Sequence, residues 1–316
     1  PDDPVLGDAI AHVHSALFLP LYDEGEPRYW NIPFRARPKA YTQQDFENSM
    51  IVANLTGGNN TRLLLMEEIR NLNRTLERQF EEVAEVQRSL LPRKIPEIPG
   101  LEIATSYLTS DQAGGDYYDF IHLPNGRWAF VIADVSGHGA AAATVMAMLH
   151  GIIHAYSGPL EPDAVVRYAN TRLLRAGIEG TFVTALMGVY DPPARTFTYA
   201  RSGHNPPILK DGRSGAVSFL DGAGGLPLGV LEPYEISSET LTLRPNDTIV
   251  LYTDGITEAM NAARDMFGPE RLDIALTACS GAPDCVVDSV HSALFKHTGS
   301  MSRKDDQTLV AIRQTS

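Results

Sequence analysis

The stretch Trp128-Ala-Phe-Val-Ile-Ala-Asp-Val-Ser-Gly-His-Gly139 joins an apolar run to an acidic residue and a glycine-rich turn. Residues 128–133 predict a buried strand, because a short apolar run bounded by turn residues is typical of one. Asp134 follows that strand, and the Ala- and Met-rich residues 140–149 predict a helix beyond the turn. A carboxylate fixed at a strand end, beside glycines that admit backbone and water, suits a hard divalent cation.

Other acidic residues repeat this pattern of a strand end or a neighbouring glycine: Asp116 within Gly114-Gly-Asp-Tyr-Tyr-Asp119, Asp254 before Gly255, and Asp305 with Asp306 before a predicted last strand at 308–313. Each alone is weak evidence, since Asp-Gly is more often a turn than a metal ligand. Together they predict carboxylates that hold two Mg or Mn ions about 3.5–4 Å apart, a pair that activates water and binds a phosphoryl oxygen.

The residues after 93 alternate short predicted strands with few helices. Segments 181–190 and 196–201 flank the turn residues 191–195 and predict a hairpin. Further strands are expected at 240–243 and 248–252, and helices at 162–176 and from Gly255 to Asn261. Many strands with clustered helices favour an α+β sandwich over a wound parallel sheet.

The motifs in this region occur in a characteristic order: Gln87-Arg-Ser-Leu-Leu-Pro92, Gly114-Gly-Asp-Tyr-Tyr-Asp-Phe120, Asp134-Val-Ser-Gly-His-Gly139, Ser202-Gly-His-Asn-Pro-Pro207, Gly225-Leu-Pro-Leu-Gly229, Leu251-Tyr-Thr-Asp-Gly-Ile-Thr-Glu258 and Asp305-Asp-Gln-Thr308. This order resembles the PPM family of metal-dependent serine/threonine phosphatases, in the bacterial branch that includes SpoIIE and RsbU. The resemblance implies a β-sandwich flanked by helices, with a binuclear Mn or Mg centre at one edge. It also implies hydrolysis of a phosphoserine or phosphothreonine on a protein, usually a STAS-type antagonist of an anti-sigma factor.

The same resemblance assigns roles to individual residues. It implies that Asp116, Asp134 and Asp254 are catalytic metal ligands, and that Asp305 and the Val135 carbonyl complete the set. Accessory positions are Gly115, Ser136, His138, Gly255 and Asp306, of which Asp306 is the less certain ligand of its pair. Ser136 stands where eukaryotic members have a histidine, so the general acid stays open, and His138 is either an acid or a turn residue. His204 is expected to order its loop.

Residues 61–92 predict a long helix with apolar residues spaced alternately four and three apart: Leu65, Ile69, Leu72, Leu76, Val83, Val86 and Leu90, with Gln79 at the remaining seam position. This heptad pattern favours a parallel two-stranded coiled coil, and therefore a homodimer. The alternative is a helix packed on its own domain. Pro92 is expected to end the helix.

Residues 1–60 predict a short α/β fragment that resembles the C-terminal portion of a GAF sensor domain. The resemblance lies in the apolar patch 15–22, the turn 23–27 and a helix at about 43–55, which Gly57-Gly-Asn-Asn60 is expected to end. The predicted organisation is therefore a partial GAF-like fragment at 1–60, a coiled-coil linker helix at 61–92 and a phosphatase domain at 93–316.

The composition excludes several classes of partner. A formal charge of -13 disfavours nucleic acid and anionic membranes, and no apolar run reaches the length of a membrane span. The two cysteines, Cys279 and Cys285, predict a reduced, cytoplasmic chain without a disulfide framework. Two alternatives to the phosphatase are a catalytically silent phosphoprotein-binding module and a hydrolase of small phosphoesters; the complete set of acidic residues favours the enzyme.

Overall fold

The computed structural model describes residues 11–23, 26–110, 113–178 and 180–315. These fall into two units, residues 1–78 and residues 79–316. The opening residues 1–10 of the predicted N-terminal fragment and residues 24 and 25 of its predicted turn lie outside the described part of the chain.

The first unit contains two small antiparallel sheets. Strands β1 (Ser15–Ala16) and β4 (Phe34–Arg35) form one, and β2 (Leu19–Asp23) and β3 (Glu26–Asn31) form the other. A long helix, α1 (Gln43–Leu90), follows them. The small core of this unit consists of Leu19 and Leu21 from β2 with Ala53 from α1.

Helix α1 is continuous where the sequence predicted a break. Thr42 and Asp45 begin it with reciprocal hydrogen bonds, Thr42 N to Asp45 Oδ2 at 2.9 Å and Asp45 N to Thr42 Oγ1 at 3.2 Å. The predicted end at Gly57-Gly-Asn-Asn60 is wrong, because the helix runs on to Leu90. Each glycine costs about 1 kcal/mol relative to alanine in a helix, and the long run of helix-favouring residues on both sides offsets that cost.

The second unit is a sandwich of two antiparallel five-stranded sheets. The first has the order β12-β9-β8-β7-β6 and the second the order β11-β10-β13-β14-β5. The strands are β5 (Leu101–Leu108), β6 (Tyr117–His122), β7 (Trp128–Val135), β8 (Val183–Asp191), β9 (Thr196–Ser202), β10 (Ile208–Lys210), β11 (Val217–Phe219), β12 (Glu239–Thr242), β13 (Thr248–Tyr252) and β14 (Gln307–Gln314). The predicted hairpin is formed by β8 and β9, and the predicted α+β sandwich is confirmed.

Helices cover the outer faces of both sheets. Helices α2 (Gly139–His154) and α3 (Pro162–Ala176) share one core with the first sheet, where Met146 and Leu149 are fully buried beside Ile132. After the short α4 (Asp254–Thr257), helices α5 (Gly268–Ala278) and α6 (Pro283–Thr298) pack on the second sheet. The helix expected from Gly255 to Asn261 is thus a single turn. No helix within the described residues is long and apolar enough to cross a membrane.

The two sheets pack on each other through their inner faces. Val131 and Tyr190 of the first sheet belong to the same buried cluster as Leu251 and Val310 of the second. A buried hydrogen bond of 2.8 Å from Tyr190 Oη to Gln314 Oε1 also joins the sheets. Because this core fixes the strands, the ends of β7, β13 and β14 are fixed as well, and these ends lead to the acidic residues described next.

Candidate metal centre

The predicted acidic residues stand where strands of both sheets begin or end. Asp116 directly precedes β6, and Asp134 is the penultimate residue of β7, so both belong to the first sheet. Asp254 opens α4 just after β13, and Asp305 lies just before β14, so both belong to the second sheet. The site is therefore built by two sheets whose relative position the common core sets.

Asp116 is the most deeply buried of these carboxylates, with 1% of its surface exposed. Two hydroxyls from the opposite sheet donate to its Oδ2, Thr253 Oγ1 at 2.8 Å and Thr308 Oγ1 at 2.5 Å. Thr308 N in turn donates to Thr253 Oγ1 at 3.0 Å. These bonds fix the orientation of Asp116 across the sandwich. Neither threonine was predicted from the sequence, although Thr253 directly precedes Asp254 and Thr308 lies three residues after Asp305.

Asp306 holds the loop that leads to Asp116. Its Oδ1 accepts hydrogen bonds from Ser110 N at 2.8 Å and Ser110 Oγ at 3.2 Å, and its Oδ2 accepts from Gly115 N at 2.6 Å. Both carboxylate oxygens are thereby engaged by the chain itself. Asp305 is more exposed, and its Oδ1 accepts only a local bond from Asp306 N at 2.9 Å among the described contacts. The pair thus divides into a loop-holding residue, Asp306, and a residue free to bind a ligand, Asp305.

The two accessory glycines allow close approach of backbone at the site. A Cβ on Gly115 would lie 2.7 Å from the Val135 carbonyl oxygen and 3.4 Å from Asp134 Oδ1. A Cβ on Gly255 would collide with the Asp306 carbonyl oxygen. A larger residue at Gly115 would therefore fill the space in front of the Val135 carbonyl, the predicted backbone ligand.

The carboxylates interact strongly enough to raise one another's pKa. Burial raises the pKa of Asp134 to about 7, and the charges of Asp254 and Asp305 add to the effect. Burial also raises the pKa of Asp254 to about 6, with Glu258 and Asp305 as neighbours. The pKa of Asp116 rises well above its ordinary value through burial and then through Asp134. The predicted ligands thus share one electrostatic site, and Glu258 joins it from the end of α4.

Ser136 and His138 occupy the turn between β7 and α2. Ser136 Oγ accepts a hydrogen bond from Phe182 N at 3.0 Å, and Ser136 N donates to Phe182 O at 3.0 Å, so this serine ties the turn to the strand beside it. His138 is exposed and extended in the turn just before α2. Burial raises the pKa of Asp305, and the neighbouring His138 opposes that rise. The structure therefore places Ser136 in a structural contact and His138 beside the carboxylates.

His204 is buried behind this region. Its Nδ1 lies 2.9 Å from Thr184 Oγ1, and its carbonyl oxygen accepts a hydrogen bond from Arg201 Nη1 at 2.9 Å. Burial and the neighbouring Arg201 lower the pKa of His204 to about 3, so the imidazole is neutral at physiological pH. These contacts agree with the expected role in ordering the loop.

The donor set fits magnesium or manganese. Asp116, Asp134, Asp254 and Asp305 offer carboxylate oxygens, and Val135 offers a carbonyl oxygen beside a glycine. Hard divalent cations prefer such an all-oxygen environment. Crowded carboxylates also gain most from a cation, because it removes the repulsion that raises their pKa values.

The fold and the acidic edge together define a PPM-type phosphatase domain. The family model for stage II sporulation protein E (SpoIIE) matches residues 124–315, and the chain belongs to this family. The predicted resemblance to the SpoIIE and RsbU branch is confirmed.

Two curated relatives and one solved structure illustrate the similarity. Phosphoserine phosphatase RsbU of Bacillus subtilis is 28% identical over 249 residues, which cover 78% of this chain and 73% of RsbU. Protein IcfG of Synechocystis is 24% identical over 282 residues, but this chain spans only 44% of the IcfG length. The SiaA-PP2C domain of Pseudomonas aeruginosa has the same fold, with a TM-score of 0.68 at 20% identity over 78% of this chain and 99% of that domain.

The raised pKa of Asp134 yields a prediction for the metal-free protein. Between pH 4, the ordinary carboxyl value, and about pH 7, the folded chain keeps a proton that the unfolded chain has lost, so this residue's contribution to stability falls as the pH rises. We expect Asp134→Asn to raise the melting temperature in EDTA by several degrees at about pH 8, and by much less at about pH 5.5.

The buried His204 changes the stability with pH in the opposite direction, because its pKa is lowered. His204 is present in both proteins, so the difference between the variant and the wild type reports on Asp134. The exposed Asp288 of α6 provides the control, and Asp288→Asn should give the same small difference at both pH values. An equal effect of Asp134→Asn at the two pH values would contradict the crowding of these carboxylates.

Proposed function

We propose that this chain is a metal-dependent protein serine/threonine phosphatase that removes phosphate from a phosphoserine or phosphothreonine on a regulatory protein. The observation behind the proposal is the cluster of Asp116, Asp134, Asp254 and Asp305 at the edge of a SpoIIE-family fold, where burial and then neighbouring carboxylates raise their pKa values. Its homologue RsbU is a phosphoserine phosphatase.

Two Mn or Mg ions are the proposed cofactors, held by the four aspartates and the Val135 carbonyl. When bound, such ions activate water and neutralise charge on the phosphoryl oxygens. The chain prepares the site for them: Thr253 and Thr308 orient Asp116, and Asp306 holds the loop at Gly115. Preorganised ligands of this kind reduce the reorganisation needed when a phosphate group arrives.

The proposed substrate is a phosphorylated STAS-type anti-sigma factor antagonist. The resemblance to RsbU over most of the chain supports this choice. Phosphorylated antagonist proteins, compared with short phosphopeptides of the same sequence, would test it. A preference for the whole protein is expected, because a protein substrate can form contacts beyond the phosphate.

We further propose that residues 61–92 regulate the phosphatase domain at 93–316, with residues 1–60 as a partial GAF-like sensor. Support comes from the C-terminal part of α1. Gln87 is buried, and its Nε2 donates to Gly114 O at 2.7 Å while its Oε1 accepts from Gly114 N at 3.0 Å. A rotation of α1 would therefore move the loop that leads to Asp116.

A small alanine cluster links α1 to the same loop and to α2. Ala84 of α1, Ala113 of the loop and Ala143 of α2 are all buried against one another. Helix α2 begins directly after the turn that follows Asp134. Displacement of α1 would thus shift Asp116 through its loop and Asp134 through α2. We propose that α2 and α3 move together in this change.

The seam residues nearer the start of α1 support a homodimer. The seam residues Leu65, Ile69, Leu72 and Leu76 are each at least 50% exposed, although the heptad pattern marks them for burial. A second copy of the helix would cover them in a parallel coiled coil. The alternative interpretation, a helix packed on its own domain, would bury the same residues without a second copy.

Removal of either central ligand should abolish catalysis. We expect Asp134→Ala and Asp254→Ala to reduce Mn-dependent phosphate release from a phosphoprotein by at least about a hundredfold, because each change removes a metal-binding carboxylate. Asp288→Ala on exposed α6 should keep full activity. If the wild type released no phosphate from any phosphoprotein with Mn bound, a silent phosphoprotein-binding module would replace the enzyme.

Gln87 should connect α1 to metal binding. Gln87→Ala leaves the buried backbone groups of Gly114 without their partner, at a cost of about 1–3 kcal/mol. We expect about tenfold more Mn to be needed for half-maximal activity, with a smaller change in the rate at saturating Mn. Gln44→Ala, at an exposed site near the start of α1, should match the wild type. An unchanged Mn requirement in Gln87→Ala would contradict the coupling.

The dimer should depend on the exposed seam of α1. Leu72→Glu places a charge at the predicted seam, and we expect the molar mass from light scattering to fall from that of a dimer to that of a monomer. Asn73→Glu adds the same charge beside the seam and should remain dimeric. A wild-type chain that is monomeric at tens of micromolar would rule out this proposal.

A further inference from the structure

A second group of metal-binding side chains lies away from the acidic edge. Asp119 of β6 and His150 and His154 of α2 place one ligand atom each within 4.8 Å of one another. The two histidines are four residues apart, so they lie on the same side of the helix. Among the described residues, no other group of three His, Cys, Asp or Glu side chains meets that distance.

His154 already contacts both of the other side chains. His154 Nε2 lies 2.7 Å from Asp119 Oδ2, and the rings of His150 and His154 stack with their centroids 4.2 Å apart. Tetrahedral zinc with bonds of about 2.0 Å holds its donor atoms about 3.3 Å apart. Small side-chain rotations would therefore bring the three donors around one ion.

The surroundings orient Asp119 and leave the histidines accessible. Phe120 N donates to Asp119 Oδ1 at 2.7 Å, and Tyr117 Oη donates to Oδ2 at 2.8 Å. The ring of Tyr117 also meets the edge of His150, with centroids 5.8 Å apart. The Asp119 side chain is 11% exposed, whereas the His154 side chain is 41% exposed. The site thus has an ordered carboxylate inside and an open side from which an ion and water can enter.

We propose that Asp119, His150 and His154 bind a zinc ion, or a similar borderline transition metal, that joins strand β6 to helix α2. Two imidazoles and one carboxylate suit such ions, whereas Mg and Mn prefer oxygen ligands alone. The ion would attach the C-terminal half of α2 to β6. These two elements follow Asp134 and Asp116, respectively, so the ion would restrict the helix that adjoins the acidic edge.

Zinc titrations of the full chain by calorimetry, at saturating Mg to occupy the acidic edge, test this site. We expect one zinc per chain and a melting temperature that rises by several degrees with zinc, since a ligand that binds only the folded state stabilises it. His150→Ala and His154→Ala should each weaken zinc binding at least tenfold and abolish the rise. The histidines are chosen because Asp119 is buried and its loss would disturb Tyr117.

His122→Ala serves as the matched control, because His122 is an exposed histidine at the end of the same strand. It should bind zinc like the wild type. Zinc binding that survives in both variants, or the absence of any zinc binding at saturating Mg, would overturn the proposal. Neither measurement uses phosphatase activity, so the proposed function and this site can fail independently.

Discussion

Four carboxylates, of Asp116, Asp134, Asp254 and Asp305, crowd together at the edge of the sandwich, where burial and mutual repulsion disfavour their charged forms. Each sheet contributes two of these residues, so the same packing that joins the sheets also brings negative charges together. The chain offsets part of this cost with hydroxyl donors to Asp116 and backbone donors to Asp306. Burial and neighbouring carboxylates still raise the pKa of Asp134 to about 7, and a bound cation would oppose that rise.

The acidic residues that meet at this edge could be singled out from the sequence because each is marked locally. Asp134 and Asp254 follow apolar strands and precede glycines, and these features are visible within a few residues of sequence. The hydrogen bonds that fix these acidic residues and their loops could not be predicted from local sequence. Ser110 meets Asp306 across 196 residues, and Gln87 meets Gly114 across 27, so only the tertiary fold brings them together. The motif Gln87-Arg-Ser-Leu-Leu-Pro92 marks this glutamine, but the motif alone does not show that its side chain binds Gly114.

Some secondary-structure elements could likewise be predicted from the sequence, and others could not. Strongly periodic or apolar segments such as β7 and α3 were predicted within a few residues of their observed bounds. Helices α5 and α6 were not predicted, since their apolar residues are interrupted by polar ones and their burial arises from packing on the second sheet. The break at Gly57 was predicted from local propensity alone, and the length of the surrounding helix overrides it.

The chain presents two chemically different donor sets on the elements that flank one turn. The acidic edge offers oxygen atoms alone, whereas Asp119, His150 and His154 add imidazole nitrogens. Mg or Mn would therefore favour the acidic edge, and zinc or a similar ion would favour the site with histidines, because of the ligand types. Helix α2 lies between them, with its first residues beside Asp134 and its last turns beside Asp119. Under the two proposals, its position would respond to α1, through the contact of Ala84 with Ala143, and to an ion at the histidine pair.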